Sequence, residues 1–326
     1  GLHSVGLLRG SFRPEADYVA LRAYLRQRAT LIEYRAAHIQ HMQKALQQMN
    51  LQLTQVLSDI TGVTGMAIIR AILSGERDPQ RLATFRQRGC KRNEETIAKA
   101  LTGNYRREHL FALQQAVALY DFYTEQLRFC DAEIEQHFTN LKPIADDLPP
   151  LPPSTKTNTR NKNAPDYDTR SLLYQLTGVD LMAIPGLNTS TVQTLISEIG
   201  PNVDAFPTVK HFCSWAGLAP HNDISGGKRL RSRTLKTNNR VGQAFRIAAQ
   251  SVARSPHCAL GAFYRRMKIR LGAKQAIVAT AHKIARTFYY LLKHRVPFHD
   301  LGGEEYERLA QERERKRLQK RAAKLG

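Results

Sequence analysis

Between Ala16 and Thr61 the chain contains neither proline nor glycine, so nothing in that stretch forces a helix to stop. An apolar series runs through it at alternating steps of three and four: Tyr18, Leu21, Leu25, Ile32, Ile39, Met42, Leu46, Met49, Leu53, Val56 and Ile60. Only Arg28 and Arg35 interrupt its seam. Another series, Leu110, Leu113, Val117, Tyr120, Leu127, Ile134, Phe138 and Leu141, carries Thr124 and Asp131 as polar insertions. Heptads sustained this long predict two long helices, each with one apolar seam. Joined by the short segment 62–105, they are expected to form an antiparallel coiled-coil hairpin over 17–142. Two amphipathic helices of an ordinary bundle satisfy the same pattern. His38 and His41 flank the seam and are expected at the solvated surface.

Beyond the hairpin, residues 143–166 are rich in Pro, Ser, Thr and Asn and read as a stiff linker that builds no core of its own. Residues 167–302 then form another, compact helical domain, and 303–326 a charged helical tail. The predicted fold class is mainly α. At 326 residues with 42% apolar side chains, the chain has enough apolar content to bury these cores.

Charge narrows the function classes. The chain holds 49 Lys and Arg against 28 Asp and Glu, a net +21, and the excess is local. Residues 1–142 carry 19 basic and 14 acidic groups, while 167–302 carry 19 and 6, a net +13. A field of one sign over one domain calls for a polyanionic partner. The basic stretches lack the apolar face of an interfacial helix, which favours nucleic acid over a membrane surface. No apolar run is long enough to span a bilayer, and no secretory signal is visible at the N-terminus. The four cysteines, Cys90, Cys130, Cys213 and Cys258, stand far apart with no CxxC spacing. They read as buried apolar groups in a reducing, cytoplasmic protein.

Two segments echo each other: an apolar residue, a glycine turn and an amphipathic helix recur at Ile60–Ile72 and at Ile184–Ile196. The later of the two is similar to a helix-hairpin-helix element, in which the turn amides around Gly186 can hold a phosphate. The most basic window follows it. From Ser225 through Arg246 there are seven cations, Lys228, Arg229, Arg231, Arg233, Lys236, Arg240 and Arg246, and no carboxylate. Guanidinium groups can clamp a phosphodiester and neutralise charge developing on it, and Gly226 and Gly227 let backbone approach closely. A serine in such a field is a candidate nucleophile. A surface loop beside a phosphate-contacting helix, without catalysis, fits the same residues.

Ala183-Ile184-Pro185-Gly186-Leu187, Phe212-Cys213-Ser214-Trp215-Ala216-Gly217-Leu218-Ala219-Pro220 and Ser225-Gly226-Gly227-Lys228 occur in that order. With Lys236-Thr237-Asn238-Asn239-Arg240 and the helix ending Ala281-His282-Lys283-Ile284-Ala285-Arg286, they resemble the C-terminal domain of the bridge-RNA-guided insertion-sequence transposases. The resemblance covers roughly 172–300, and the hairpin half is similar to the region preceding it in that family. It implies a recombinase that joins element and target DNA under an element-encoded guide RNA, with Ser225 as the nucleophile. It also implies a RuvC-like half whose acidic residues bind a divalent metal such as Mg. Residues 1–16 resemble the end of that half, so its acidic residues are expected upstream of Gly1 and no metal site is expected in this chain. Binding of nucleic acid without cleavage by the chain alone follows from the same expectation. Self-association is expected separately, through the coiled-coil seam.

Two other readings compete. A tyrosine recombinase would use Arg, His-x-x-Arg and Tyr, but His282 and Arg286 have the wrong spacing, and Tyr289 and Tyr290 lie on an apolar helix. A non-catalytic DNA- or RNA-binding protein, or a decayed transposase remnant, is the stronger competitor. Asp168, Asp180, Glu198, Asp204, Asp223 and Asp300, the only acidic groups of 167–302, stand near helix starts or turns, where N-capping is the expected role. Asp223 alone is close enough to Ser225 for a local one.

Overall fold

The structure, a computed structural model, describes residues 12–145, 147–153, 162–234 and 238–323. It is mainly helical and divides into two compact units, Arg26–Ala132 and Gly1–Leu25 with Glu133–Gly326. Two long helices, α1 (Ala16–Gln48) and α6 (Arg107–Asn140), supply residues to both units. Between them come α2 (Leu53–Val56), α3 (Val63–Leu73), α4 (Pro79–Ala83) and α5 (Glu94–Ala100).

Within Arg26–Ala132, α1 and α6 run antiparallel: Arg28 meets Asp131, and farther along His38 stacks on Tyr123 with ring centroids 5.4 Å apart. One polar interruption of each heptad series, Arg28 and Asp131, therefore finds the other, while Thr124 Oγ1 donates to Tyr120 O within its own helix. Arg28 Nε and Nη2 donate to the two carboxylate oxygens of Asp131 at 2.5 and 3.1 Å, and both residues are buried. Such a two-pronged pair satisfies charges that would otherwise be costly inside a seam. His38 is half-buried against Tyr123, a correction to the solvated position its place beside the seam predicts.

At the other end of the hairpin, Met42, Leu46, Met49, Leu53, Ile68, Ile69, Ile72, Leu82, Ile97 and Leu113 form one buried cluster. The segment 62–105 thus closes this end by packing Ile68, Ile69, Ile72, Leu82 and Ile97 against residues of α1, α2 and α6. Gly103 is needed there, because a Cβ would lie 2.2 Å from the Met49 carbonyl oxygen. Gly65, in the first of the two echoing segments, lies similarly close to Ile60. Of the seam residues expected to drive self-association, Met42, Leu46 and Met49 are buried within the chain, and Ile39 is partly covered.

The other unit continues with α7 (Thr169–Thr177), a 3₁₀ turn (Leu181–Ala183), α8 (Thr189–Ile199) and α9 (Val209–Trp215). A two-stranded antiparallel ribbon follows, β1 (Pro220–Ser225) and β2 (Lys228–Thr234). Helices α10 (Arg240–Val252), α11 (Ala259–Leu271), α12 (Ala273–His294) and α13 (Gly303–Ala322) complete it. Its centre is aromatic. Phe212, Phe245 and Phe288, from α9, α10 and α12, are fully buried, with centroids 5.4 to 6.3 Å apart. The ribbon interrupts a domain whose sequence reads as helical throughout.

The segment read as a linker and the charged tail both pack against helices of this unit. In 143–166, Ile144 N donates to Gln175 O at 3.0 Å, and Tyr174 Oη to Pro149 O at 2.9 Å. The proline-rich strap therefore lies along α7. Helix α13 packs through Tyr306 and Ala310, with Arg265–Glu307 at 3.0 Å and Arg266–Glu314 at 2.9 Å tying it to α11. Lys283 of α12 sits between the rings of Phe263 and Tyr306, 4.4 and 4.5 Å from their centroids. Burial there holds its ammonium below the usual lysine range, while the two rings offset part of the lost hydration.

Candidate functional site

Ser225 stands at the far end of β1, where the chain reverses through Gly226 and Gly227. Both glycines have positive φ, +54° and +73°, the combination a two-residue hairpin loop of primed type requires. Added Cβ atoms at either would meet nothing within 4 Å. These glycines serve the turn and leave the tip open. Ser225 pairs in register with Lys228, and both are exposed. Among the described residues no hydrogen bond restrains the Ser225 hydroxyl.

The remaining strand positions set out the basic row. Arg229 lies opposite Ile224, Arg231 opposite Asp223 and Arg233 opposite His221, with a bulge between Asp223 and Ile224. A bulge twists a ribbon and re-aims the residues beside it. Ile224 and Leu230, 65% and 70% exposed, flank that irregularity. Lys236 lies outside the described residues. Asp223 faces His221, with carboxylate oxygen and ring nitrogen 3.6 Å apart.

At the base of the ribbon the cations do different work. Arg246 Nη2 donates to the buried Gly217 carbonyl at 2.8 Å. Asn239 Oδ1 caps α10 by accepting from Val241 N and Gly242 N, while its Nδ2 donates to Trp215 O at 2.9 Å. Gly242 lies so close to the Ala216 carbonyl that a Cβ would sit 2.1 Å from the oxygen. The Ala-Gly-Leu turn preceding β1 is thus clamped to the first turns of α10. Arg240, the first residue of α10, is exposed beside this clamp.

Gly186 is brought against α10 as well. Its φ is +89°, and a Cβ would stand 2.5 Å from both the Ala248 carbonyl oxygen and Val252 Cγ2. Close packing accounts for this glycine without any phosphate. Asn188 caps α8 by accepting from Thr191 N at 2.9 Å.

The acidic groups of this unit are largely committed to structure. Asp168 caps α7, and Asp180 caps the 3₁₀ turn while binding Arg170. Glu198 pairs with Arg22 at 3.1 Å, and Asp300 accepts from Ala259 N and Gly302 N. Among the described residues no three His, Cys, Asp or Glu side chains gather as a ligand set. A divalent metal needs clustered oxygen ligands. The acidic residues described do not provide them. Tyr289 is buried and donates to Phe206 O at 2.9 Å, which removes it as a nucleophile. Cys213 is also buried, and its thiol is pushed up to about 11 by that burial.

In chain order come a glycine turn packed on α10, an Ala-Gly-Leu clamp and a serine-tipped ribbon leading into α10. Residues 180–265 match the transposase IS116/IS110/IS902 family. The matched segment begins at the 3₁₀ turn, contains the whole ribbon and its clamp, and ends within α11. Over these residues the match bears out the likeness to insertion-sequence transposases drawn from the motifs. No curated protein matches the chain. No helix among the described residues is long and apolar enough to cross a membrane.

Proposed function

We propose that the chain acts in transposition of an insertion sequence, with the β1–β2 ribbon as its DNA-contacting arm and Ser225 as the nucleophile. The observation that carries this reading is the family match over 180–265, which encloses a serine held at the open tip of a cationic ribbon. In the proposed step Ser225 Oγ attacks a DNA phosphorus and forms a phosphoserine ester. One phosphodiester P–O bond breaks, the serine proton passes to a base, and the departing sugar oxygen is protonated. Lys228 and the arginines of β2 favour the extra negative charge of that transition state.

Guidance by an element-encoded RNA, and a divalent metal held by acidic residues outside the described set, belong to the same proposal by resemblance. So do phosphate contacts from Arg229, Arg231, Arg233, Lys236 and Arg240. A cytoplasmic location fits a protein that works on the genome of its host cell.

The test is covalent capture on the full-length protein, with the element RNA and a duplex bearing the element end. Ser225→Ala is expected to abolish the protein–DNA adduct while DNA binding stays within about twofold, since the side chain is exposed and small. Adduct formation by the variant would overturn the assignment, with Ser232 and Thr234 next to examine. Tight binding with no adduct from the unaltered protein would favour the non-catalytic nucleic-acid-binding reading.

A further inference from the structure

Helix α13 changes character part-way along. Its carboxylates lie early and are largely engaged: Glu307 and Glu314 pair with Arg265 and Arg266 of α11, while Glu305 and Glu312 both hold Arg308. After Glu314 the sequence has no carboxylate side chain. Arg315, Lys316, Arg317, Lys320 and Arg321 follow instead, all exposed and, among the described residues, none in an ion pair. A helix C-terminus favours cations only within its last turn. That accounts for Lys320 and Arg321 and leaves the other three without a reason. Lys316 and Lys320, like Arg317 and Arg321, stand four apart, where like charges work against the helix.

More positive charge lies at the same end of this unit. Helix α13 runs beside α11 in the same direction, since Gly303 N donates to His257 O and, farther along, Arg266 meets Glu314. Its cationic part therefore continues toward the turn between α11 and α12. Residues 268–275 of that turn are all exposed, and Lys268, Arg270 and Lys274 meet no carboxylate among the described residues. No Asp or Glu occurs from Ile224 through His299. Two aliphatic side chains stand in solvent among these cations, Ile269 at 90% exposure and Leu318 at 61%.

We infer that this end of α11, α12 and α13 is a binding surface for duplex DNA, separate from the β1–β2 ribbon, with the cationic turns of α13 seated in the major groove. The placement of the charges around the helix decides the partner. At 3.6 residues per turn, the five cations of α13 spread over about 240° of its circumference, and Leu318 and Ala322 occupy the rest. A bilayer would neutralise one face only, and a helix lying on it would need a broad apolar face. A groove puts phosphates on both sides. With Leu318 toward the floor, Arg317 and Arg321 lie along one wall, Arg315 along the other, and Lys316 and Lys320 at the mouth. The major groove of B-form DNA, about 12 Å wide, admits a helix, and its floor offers thymine methyl groups to an apolar side chain. The deep, narrow major groove of A-form RNA does not. Lys268, Arg270 and Lys274 then reach the flanking phosphates. This surface does not depend on Ser225 acting as the nucleophile.

The test is equilibrium binding of the full chain to a DNA duplex of about 20 base pairs and arbitrary sequence, without the element RNA, over about 50–200 mM salt. The variant with Arg315→Gln, Arg317→Gln and Arg321→Gln is expected to lose about 2.7 from the slope of log K against log salt, three phosphate contacts at about 0.9 each. Its helical circular dichroism should not change, and Lys at the same three positions should restore the slope. Adding Lys228→Ala to the Gln variant should subtract its own share independently, as two separate surfaces require. An RNA duplex of the same sequence should show a clearly smaller loss. A duplex-binding slope unmoved by the three Gln substitutions, or an unaltered chain that binds no duplex, overturns the proposal. An equal loss on the RNA duplex overturns the seating in the major groove.

Discussion

The base and the tip of the β1–β2 ribbon belong to one stretch of sequence, yet their glycines and cations serve opposite ends. At the base, Gly242 has no room for a side chain against the Ala216 carbonyl, and the Arg246 guanidinium is bound to a buried backbone oxygen. At the tip, Gly226 and Gly227 have free space around them, and Lys228 is exposed to solvent. A dense basic window is therefore not a uniform phosphate-binding surface. Part of it is the fastening that holds the rest in place. Counting cations overstates how many are available to a partner.

The sharpest way to break this comparison is at the base. Gly242→Ala should lower the unfolding free energy by about 3 kcal/mol, because a new methyl group collides with backbone that cannot swing aside. Denaturant unfolding would measure it. A loss under about 0.5 kcal/mol, the size of an ordinary surface change, would mean that the clamp is loose. Next comes Arg246→Met, which keeps much of the side chain's bulk and leaves the Gly217 carbonyl without its charged donor. A loss of about 2 kcal/mol is expected, with the salt dependence of DNA binding unchanged. A flatter salt slope would return Arg246 to the phosphate contacts. The smallest effect on stability belongs to Lys228→Ala, within about 0.5 kcal/mol of zero. Its signature is in binding, where the slope of log K against log salt should lose about 0.9 if Lys228 neutralises one phosphate. An unchanged slope would place the tip away from the DNA backbone.

The long helices are readable because their seams repeat over many turns, and burial of Met42, Leu46, Leu113 and Val117 follows that repeat directly. The Arg28–Asp131 pair is not. Each residue shows as a flaw in its own seam, and only the register of one helix on the other reveals that the two flaws cancel. The ribbon escapes for a different reason. Strand β1 is largely exposed, so it lacks apolar alternation, and Lys-Arg-Leu-Arg-Ser-Arg-Thr shows charge where a half-buried strand would alternate. The available signal is the Gly-Gly pair itself, a hairpin dipeptide. Ser225, Lys228 and the arginines of β2 are legible as a set from the motif. That Gly186 and Arg246 are packing and fastening residues is not, since both depend on where α10 lies.

The ribbon is also a lever. Ser225 stands five residue steps from Pro220, about 17 Å at strand rise, beyond a fulcrum made by Asn239, Gly242 and Arg246. A tilt of about 10° at that fulcrum sweeps the hydroxyl through about 3 Å, far more than the roughly 0.5 Å tolerance of a productive reacting geometry. Rigidity at the fulcrum alone therefore cannot aim the serine. The aim has to come from whatever the arm rests on; under the proposed reading, the DNA strand that Ser225 attacks would also be the brace that holds its hydroxyl still.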